Sequence, residues 1–215
     1  GVPIKSSPQG RAPLVILERV NKGRLRGIRY RLPVPSAQVK TALLLAGLDA
    51  DDELILEEPG ISRDHTERLL RLMGCDLFLD PSQKRIILNP PPRPFLEPFD
   101  LHIPGDFSSA AFLMVGALIT PESDITLRNV GINPTRLGLL DALKAMGGRI
   151  DVLNQRQFGP EPAADLRVRS SFLQGIDIRG DITSRMMDEF PIFSIAACRA
   201  KGLTTVSDAG ELRVK

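Results

Sequence analysis

The sequence contains few of the residues and patterns that would indicate a metal protein, a nucleic-acid-binding protein or a membrane protein. Its 215 residues include two cysteines and two histidines, and the formal net charge is +2. Such a small charge argues against a strongly basic surface for nucleic acid, although small anionic ligands are compatible with it. There is no run of about 18 apolar residues and no signal-peptide pattern. We therefore expect a soluble, cytoplasmic protein without a nucleic-acid or membrane partner.

The two cysteines also exclude several kinds of site. Cys75 and Cys198 lie far apart in apolar surroundings and form neither a CxxC pair nor a zinc-ligand spacing. We expect both to be buried, reduced thiols, as is usual in the cytosol. A P-loop, a dinucleotide-binding fingerprint and an HExxH motif are absent from the sequence as well. These motifs therefore give no indication of a nucleotide-binding or zinc site.

A pattern of helices and strands occurs twice along the chain. Ser36–Ala37 recurs as Ser109–Ala110, and Met73–Gly74 recurs at the same spacing as Met146–Gly147. Each unit begins with an apolar helix, continues with a strand and with a second helix that ends at the glycine, and finishes with a further strand. The predicted helices are 36–48, 64–73, 108–119 and 134–146, and the predicted strands are Leu54–Glu57, Asp76–Leu79, Ile125–Leu127 and Arg149–Leu153.

A third unit begins at Met187, with a helix to about Ala200, a stop at Gly202 and a strand at Thr204–Val206. These repeats predict an α/β (α+β) fold. The chain ends where the second helix of this unit is expected, and a repeat cannot bury its hydrophobic face alone. We therefore expect the chain to be part of a larger protein.

Proline is concentrated between the first two units. The run Asn89–Pro94 contains four prolines and Pro98 follows closely, which predicts an extended linker. We place one domain at residues 1–102 and a second at residues 103–215. A proline-rich ligand for a recognition module is the alternative interpretation of this run.

The segment Pro35–Gly47 couples a small polar helix start to an apolar helix body. The free N–H groups of the first turn, the Ser36 hydroxyl and the Gln38 amide together suit a phosphate or a carboxylate. The simpler alternative is that Ser36 only caps the N-terminus of a core helix.

Two charged residues are further candidates for a functional site. Arg63, at the entry of the second helix, can bind a phosphate through its planar fork of donors, or it can pair on the surface with Asp64 or Glu67. Asp188 precedes an apolar helix and by itself resembles an acidic N-cap. We expect His65, His102 and the serines of the 108–119 helix start to be structural.

Six blocks of sequence carry a resemblance to a known family. They are Pro35–Leu48, Ser62–Glu67, Pro104–Ala110, Asn133–Arg136, Met187–Pro191 and Glu211–Lys215. Their order and content resemble the central part of the 3-phosphoshikimate 1-carboxyvinyltransferase (EPSP synthase) family, and Ala37 after Ser36 is similar to its bacterial class II. The resemblance implies the enolpyruvyl transferase fold, with repeated βαβαββ units in two domains joined by a cleft.

The resemblance also implies an activity. The family transfers the enolpyruvyl group of phosphoenolpyruvate to the 5-hydroxyl of shikimate 3-phosphate, which gives 5-enolpyruvylshikimate 3-phosphate and phosphate on the route to chorismate and the aromatic amino acids. It implies no metal, no cofactor, and a monomer at full length. By resemblance, the residues that bind shikimate 3-phosphate are Ser36, Ala37, Gln38, Arg63, Asp188 and Lys215. Gln38 also reaches phosphoenolpyruvate, and Asp188 and Lys215 are the catalytic residues.

Two alternatives stay open at this point. UDP-N-acetylglucosamine enolpyruvyltransferase shares the chemistry, but it lacks blocks like Ser36–Lys40 and Arg63–Glu67 and uses a cysteine-bearing loop upstream of this region. The other alternative is a non-catalytic anion-binding fragment or interaction module, because the phosphoenolpyruvate loop and several basic residues of the family have no counterpart here. We accordingly expect the isolated chain to be inactive.

Overall fold

A computed structural model describes residues 2–18, 23–93 and 95–213. The chain divides into two units, one formed by Gly1–Pro59 and Met73–Glu97 and the other by Gly60–Leu72 and Pro98–Lys215. Residues 60–72 thus group with the second unit, although they precede part of the first in sequence. The domain boundary at residue 102 stays a prediction.

In the part of the first unit that the structure describes, a four-stranded sheet packs against one α-helix. Its elements are β1 (Ile4–Lys5), β2 (Val15–Ile16), β3 (Arg29–Arg31), α1 (Ala37–Gly47), β4 (Leu54–Glu57), β5 (Asp76–Asp80) and β6 (Arg85–Asn89). The sheet order is β3-β4-β6-β5, with β3 parallel to β4 and the other pairs antiparallel, and β1 pairs with β2 separately.

The helix α1 approaches this sheet closely because Gly47 has no side chain. A Cβ atom at Gly47 would lie 2.6 Å from the side chain of Leu54 and 3.1 Å from that of Leu88. Leu54 and Leu56 alternate with half-buried residues along β4, so one face of the strand is buried, as a period of two requires. Leu44 of α1 and Leu88 of β6 are fully buried in the same core.

Within its described residues, 60–72 and 98–213, the second unit contains a three-stranded antiparallel sheet, a parallel strand pair and five α-helices. Its elements are α2 (His65–Leu72), α3 (Phe107–Ile119), β7 (Asp124–Gly131), α4 (Gly138–Ala145), β8 (Arg149–Phe158), β9 (Glu161–Arg169), β10 (Asp177–Ile178), α5 (Asp181–Arg185), α6 (Phe190–Arg199) and β11 (Thr205–Val206). The sheet order is β7-β9-β8, and β10 pairs with β11. Its core is lined by buried residues of α3, α4, β9 and α6.

The repeat predicted from the sequence is present in the order of elements. The series α1, β4, α2, β5, β6 recurs as α3, β7, α4, β8, β9, and the final two strands pair in the same way in both. Gly74 and Gly147, predicted to stop the second helices, have φ values of +83° and +88°, the left-handed conformation that glycine adopts most readily.

Several predicted elements differ in extent. The helix predicted at 134–146 is a short 3₁₀ turn, Pro134–Arg136, followed by α4, and the helix predicted from Met187 begins at Phe190. The strand predicted at Arg149–Leu153 continues to Phe158, because it pairs along its length with β9. The strands β6 and β9 were not located from the sequence.

Asp165 organises two irregularities in this sheet. Register shifts occur between Leu127 and Val130 on β7 and between Leu153 and Arg156 on β8, on either side of β9. Asn129 and Asn154, at these shifts, have φ values of +57° and +49°. The Asp165 carboxylate accepts hydrogen bonds from the Asn129 N–H at 2.9 Å and from the Asn154 amide at 3.0 Å. One carboxylate thus fixes both β-bulges.

The prediction for the cysteines is half right. Cys75 is buried and free, and its burial raises the pKa of its thiol. Cys198 is free but exposed, because it lies on the outer face of α6, where helical periodicity turns it away from the buried Phe193 and Ala196. Within the described parts of the chain, no helix is long and apolar enough to cross a membrane.

Candidate functional site

The first turn of α1 has the geometry expected of a helix N-terminus. Ser36 is its N-cap, with extended backbone angles, and its hydroxyl accepts a hydrogen bond from the Val39 N–H at 3.3 Å. The first intrahelical bond runs from the Lys40 N–H to the Ser36 carbonyl. Gln38 is exposed and the first turn contains no acidic residue. This turn therefore offers backbone donors to an anion, and capping and anion binding are compatible here.

Lys40, the fourth residue of α1, belongs to a buried ion pair. Lys40 is 1% exposed, and its Nζ lies 3.1 Å from Oε2 of Glu58, which follows β4. Sequence reasoning missed this pair. The available signal was that Lys40 is the one charged residue within Ala37–Gly47.

The second unit brings together two of the predicted site residues. Arg63 Nη1 lies 3.3 Å from Oδ2 of Asp188, and both side chains are a little over one-third exposed. Asp64, one of the surface partners considered for Arg63, is bound instead to Arg68 at 2.9 Å. A guanidinium and a carboxylate that both remain accessible can bind an anion and a hydroxyl side by side.

The two adjacent carboxylates Asp188 and Glu189 have different surroundings. Asp188 lies in the turn before α6 and faces Arg63, whereas Glu189 is the N-cap residue of α6 and is 4% exposed. The Glu189 carboxylate accepts a hydrogen bond from the Ser108 hydroxyl at 2.5 Å, and Arg136 donates to the same hydroxyl at 2.7 Å. Burial raises the pKa of Glu189 and outweighs the hydrogen bond from Ser108 and the charge of Arg136, which act to lower it. The N-cap interpretation of Asp188 is therefore wrong by one residue.

A polar cluster anchors the start of α2 within the second unit. Asn133 donates hydrogen bonds to Asp64 at 2.7 Å and to Glu161 at 3.1 Å, and His65 Nδ1 lies 2.7 Å from Glu161 Oε1. Burial acts to raise the pKa of Asp64, but the hydrogen bonds from Arg68 and Asn133 outweigh it, and the pKa is lowered. Sequence reasoning placed Asn133 in a family block but did not identify these contacts.

The remaining candidates have structural contacts. Asp106 caps α3, and Ser109 donates to it through both its N–H and its hydroxyl at 2.8 Å. The serines of this helix start were expected to be structural, and Ser109 donates to the cap residue. The His102 ring lies edge-on to Phe158, with centroids 4.5 Å apart. Lys215 lies outside the described residues.

The comparison with known proteins agrees with the residues. The sequence profile of the family described as EPSP synthase (3-phosphoshikimate 1-carboxyvinyltransferase) matches residues 1–215. This chain belongs to the EPSP synthase family. Between the two enolpyruvyl transferases considered above, the match decides for this family.

Individual relatives agree with the family match. A 3-phosphoshikimate 1-carboxyvinyltransferase of Desulforudis audaxviator is 54% identical over 193 residues, which cover 90% of this chain and 44% of the relative. A 3-phosphoshikimate 1-carboxyvinyltransferase of Magnetococcus marinus is 50% identical over 216 aligned residues, which cover 100% of this chain and 47% of the relative. The chain thus spans about half the length of the curated relatives it matches.

Solved structures extend the comparison to the fold. EPSP synthase from Acinetobacter baumannii matches with a TM-score of 0.86 and 43% identity over 100% of this chain and 47% of that one. The enolpyruvyl transferase NikO from Streptomyces tendae matches with a TM-score of 0.69 over 96% of this chain and 48% of that one. Its sequence identity is 18%, so this likeness shows the fold alone. The predicted enolpyruvyl transferase fold is confirmed.

Proposed function

We propose that this chain takes part in the EPSP synthase reaction, the transfer of the enolpyruvyl group from phosphoenolpyruvate to the 5-hydroxyl of shikimate 3-phosphate with release of phosphate. The observation that carries the proposal is the family match over residues 1–215. The exposed Arg63–Asp188 pair supports it, because the reaction needs a cation for a phosphate and a carboxylate for a hydroxyl. We further propose a cytoplasmic protein that is a monomer at full length and has these small molecules as partners.

We propose two separate assignments for shikimate 3-phosphate, both by resemblance: the first turn of α1 is one binding segment, and Arg63 is a binding residue of the second unit. Ser36 and Gln38 offer side-chain groups, and Ala37 offers its backbone N–H. Gln38 is exposed, and we propose that it also reaches phosphoenolpyruvate. Arg63 contacts Asp188 through Nη1, so the other nitrogens of the guanidinium can donate to a phosphate while that contact persists.

We propose Asp188 as the carboxylate that binds the ring hydroxyls and takes the hydroxyl proton. A base must lie within hydrogen-bond reach of the proton it removes, and the pairing with Arg63 holds this carboxylate at the side of a phosphate-binding group. Lys215 remains a second catalytic candidate by resemblance.

The test uses the complete gene product that contains these residues. Phosphate release is measured with both substrates and with each one alone, and the organic product is identified by mass spectrometry. We expect turnover only with both substrates. Asp188→Asn should lower kcat by about 10²–10⁴-fold, the usual contribution of a general base, and should change shikimate 3-phosphate affinity much less.

Asp124→Asn is the matched control, because Asp124 is also partly exposed and paired with an arginine, Arg167, at 2.6 Å. Its kcat should equal that of the wild type. Equal loss of kcat in the two variants would contradict the role of Asp188. A folded gene product that binds shikimate 3-phosphate without turnover would favour the anion-binding alternative.

A further inference from the structure

Asn133 uses the whole hydrogen-bonding capacity of its side chain in the second unit. The side chain is buried, with the residue 3% exposed. Its Oδ1 accepts from the Thr135 N–H at 2.9 Å and from the Thr135 hydroxyl at 2.7 Å, and its Nδ2 donates to Asp64 and Glu161. An amide has two acceptor sites and two donors, and all four are occupied here.

The Asn133 Nδ2 group is connected to Arg63 through Asp64. Asp64, which follows Arg63 in sequence, accepts at 2.7 Å from Asn133 and at 2.9 Å from Arg68 Nε. The Asp64 carbonyl also accepts the Arg68 N–H at the start of α2. The backbone that carries Arg63 is therefore held from one side by its own helix and from the other by Asn133.

The Asn133 Oδ1 atom is connected to the turn that carries Asp188 through the 3₁₀ turn that it caps. Asn133 caps the 3₁₀ turn Pro134–Arg136, and this cap holds the backbone of Arg136 in place. Arg136 donates to the Ser108 hydroxyl at 2.7 Å, and Ser108 donates to Glu189, the neighbour of Asp188, at 2.5 Å. The turn that carries Asp188 is thus tied to the same loop.

We propose that Asn133 is a positioning residue that sets the separation of Arg63 and Asp188, an inference that rests on the proposed function of this pair. An amide is required, because the site asks for two donors toward carboxylates and two acceptor positions toward Thr135 at once. A carboxylate at this position keeps the acceptor half but places a third negative charge beside Asp64 and Glu161.

The variant that separates the two halves is Asn133→Asp. It retains the cap on Thr135 and removes both donors, so it displaces Arg63 while leaving the 3₁₀ turn in place. A displacement of about 1 Å in a reacting pair costs on the order of 100-fold, and we expect kcat/KM for shikimate 3-phosphate to fall by about that factor.

The reciprocal double variant Asp64→Asn with Asn133→Asp provides a rescue. It restores an amide-to-carboxylate hydrogen bond with its direction reversed and returns the local charge to its original value. We expect it to recover about tenfold or more of the loss, as one restored hydrogen bond to a charged group would. Absence of any recovery would contradict the proposal.

The matched control is Asn154→Asp. Asn154 also donates its amide to a carboxylate, Asp165, at 3.0 Å, so this change likewise sets two carboxylates against each other in the second unit. Asn154 has no contact with the network that leads to Arg63 and Asp188 in the described structure. We expect the control to lower the melting temperature while kcat/KM stays at the wild-type value. An equal loss of kcat/KM in both variants would overturn the proposal.

A measurement that needs no turnover separates this proposal from the proposed function. Crystal structures of the wild-type gene product and of Asn133→Asp, in one crystal form, give the distance between Arg63 Nη1 and Asp188 Oδ2 directly. We expect the 3.3 Å contact in the wild type and in Asn154→Asp, and its loss in Asn133→Asp. A retained contact in Asn133→Asp would overturn the positioning role even in an active enzyme. A lost contact in a protein without turnover would instead leave positioning supported and the proposed function refuted.

Discussion

Lys40 and Glu58 form an ion pair that is almost withdrawn from solvent, with side chains 1% and 11% exposed and 3.1 Å between Nζ and Oε2. The pair links Lys40 of α1 to Glu58, the residue that follows β4. Both charges have lost most of their hydration and each stabilises the other, so removal of one deprives the buried charge that remains of a close counter-ion. The helix whose first turn is proposed to bind phosphate is therefore linked to the sheet by a buried ion pair.

We predict that Lys40→Met destabilises the protein by about 3–5 kcal/mol, the usual cost of breaking a buried pair from one side. The double variant Lys40→Met with Glu58→Leu should recover much of that loss, because it removes both buried charges. Urea denaturation measures the free energies of unfolding. Arg167→Met, at the exposed pair with Asp124, is the control and should change little. A double variant less stable than Lys40→Met would contradict this account.

We predict that Glu189 makes stability depend on pH. Its pKa is raised by burial in the folded protein, so the folded state keeps this proton to a higher pH than the unfolded state does. Stability from this group is present below its unfolded pKa and is lost as pH rises through the folded pKa. Relative to the wild type, Glu189→Gln should therefore gain stability as pH rises above 4.5, the ordinary value.

Thermal melts of Glu189→Gln and the wild type across this pH range measure the effect. A constant difference between Glu189→Gln and the wild type across this range would show that the buried carboxylate does not titrate differently on folding.

We predict the opposite pH dependence for Asp165. Hydrogen bonds from Asn154, Asn129 and Arg156 lower its pKa from 3.8 to about 2. A lowered pKa contributes stability that is present above the unfolded value and is lost as pH falls toward 2. Asp165→Asn should therefore be less stable than the wild type at neutral pH, and the difference should shrink between about pH 4 and pH 2. A difference that grows on acidification would be incompatible with this mechanism.

We predict that the isolated 215-residue chain binds shikimate 3-phosphate weakly and with a strong dependence on salt. The Arg63 guanidinium offers donors to a phosphate, and such contacts are screened by ions. Calorimetric titration at low ionic strength should give heat that falls in Arg63→Ala and is retained in Arg167→Ala. Identical heats for the wild type and Arg63→Ala would exclude Arg63 from the site.

We also predict that this isolated chain does not turn over. It spans about half the length of its curated relatives, and catalysis by positioning two anions needs every binding group in place. Phosphate release by the isolated chain at the rate of a full-length relative would contradict this expectation.

The sequence alone was sufficient for the elements whose signals are local. The strand Leu54–Glu57 was predicted with its observed bounds, and the apolar helix predicted at 36–48 is observed as Ala37–Gly47. Caps, C-terminal glycines and periodicity act within a few residues of the element they shape, so the sequence of the segment contains them. The blocks that resemble the family additionally predicted the fold and the candidate site residues.

Only the tertiary structure decided which side chains meet. Arg63 and Asp188 are 125 residues apart, and the acceptors of the Asn133 amide lie 69 and 28 residues away. Whether Lys40 is buried and Cys198 exposed depends on which helix face meets a neighbour, and neither follows from the apolar content of the segment. Local propensity fixes the elements, whereas long-range packing places a charge beside its partner or in water, and that placement determines the chemistry.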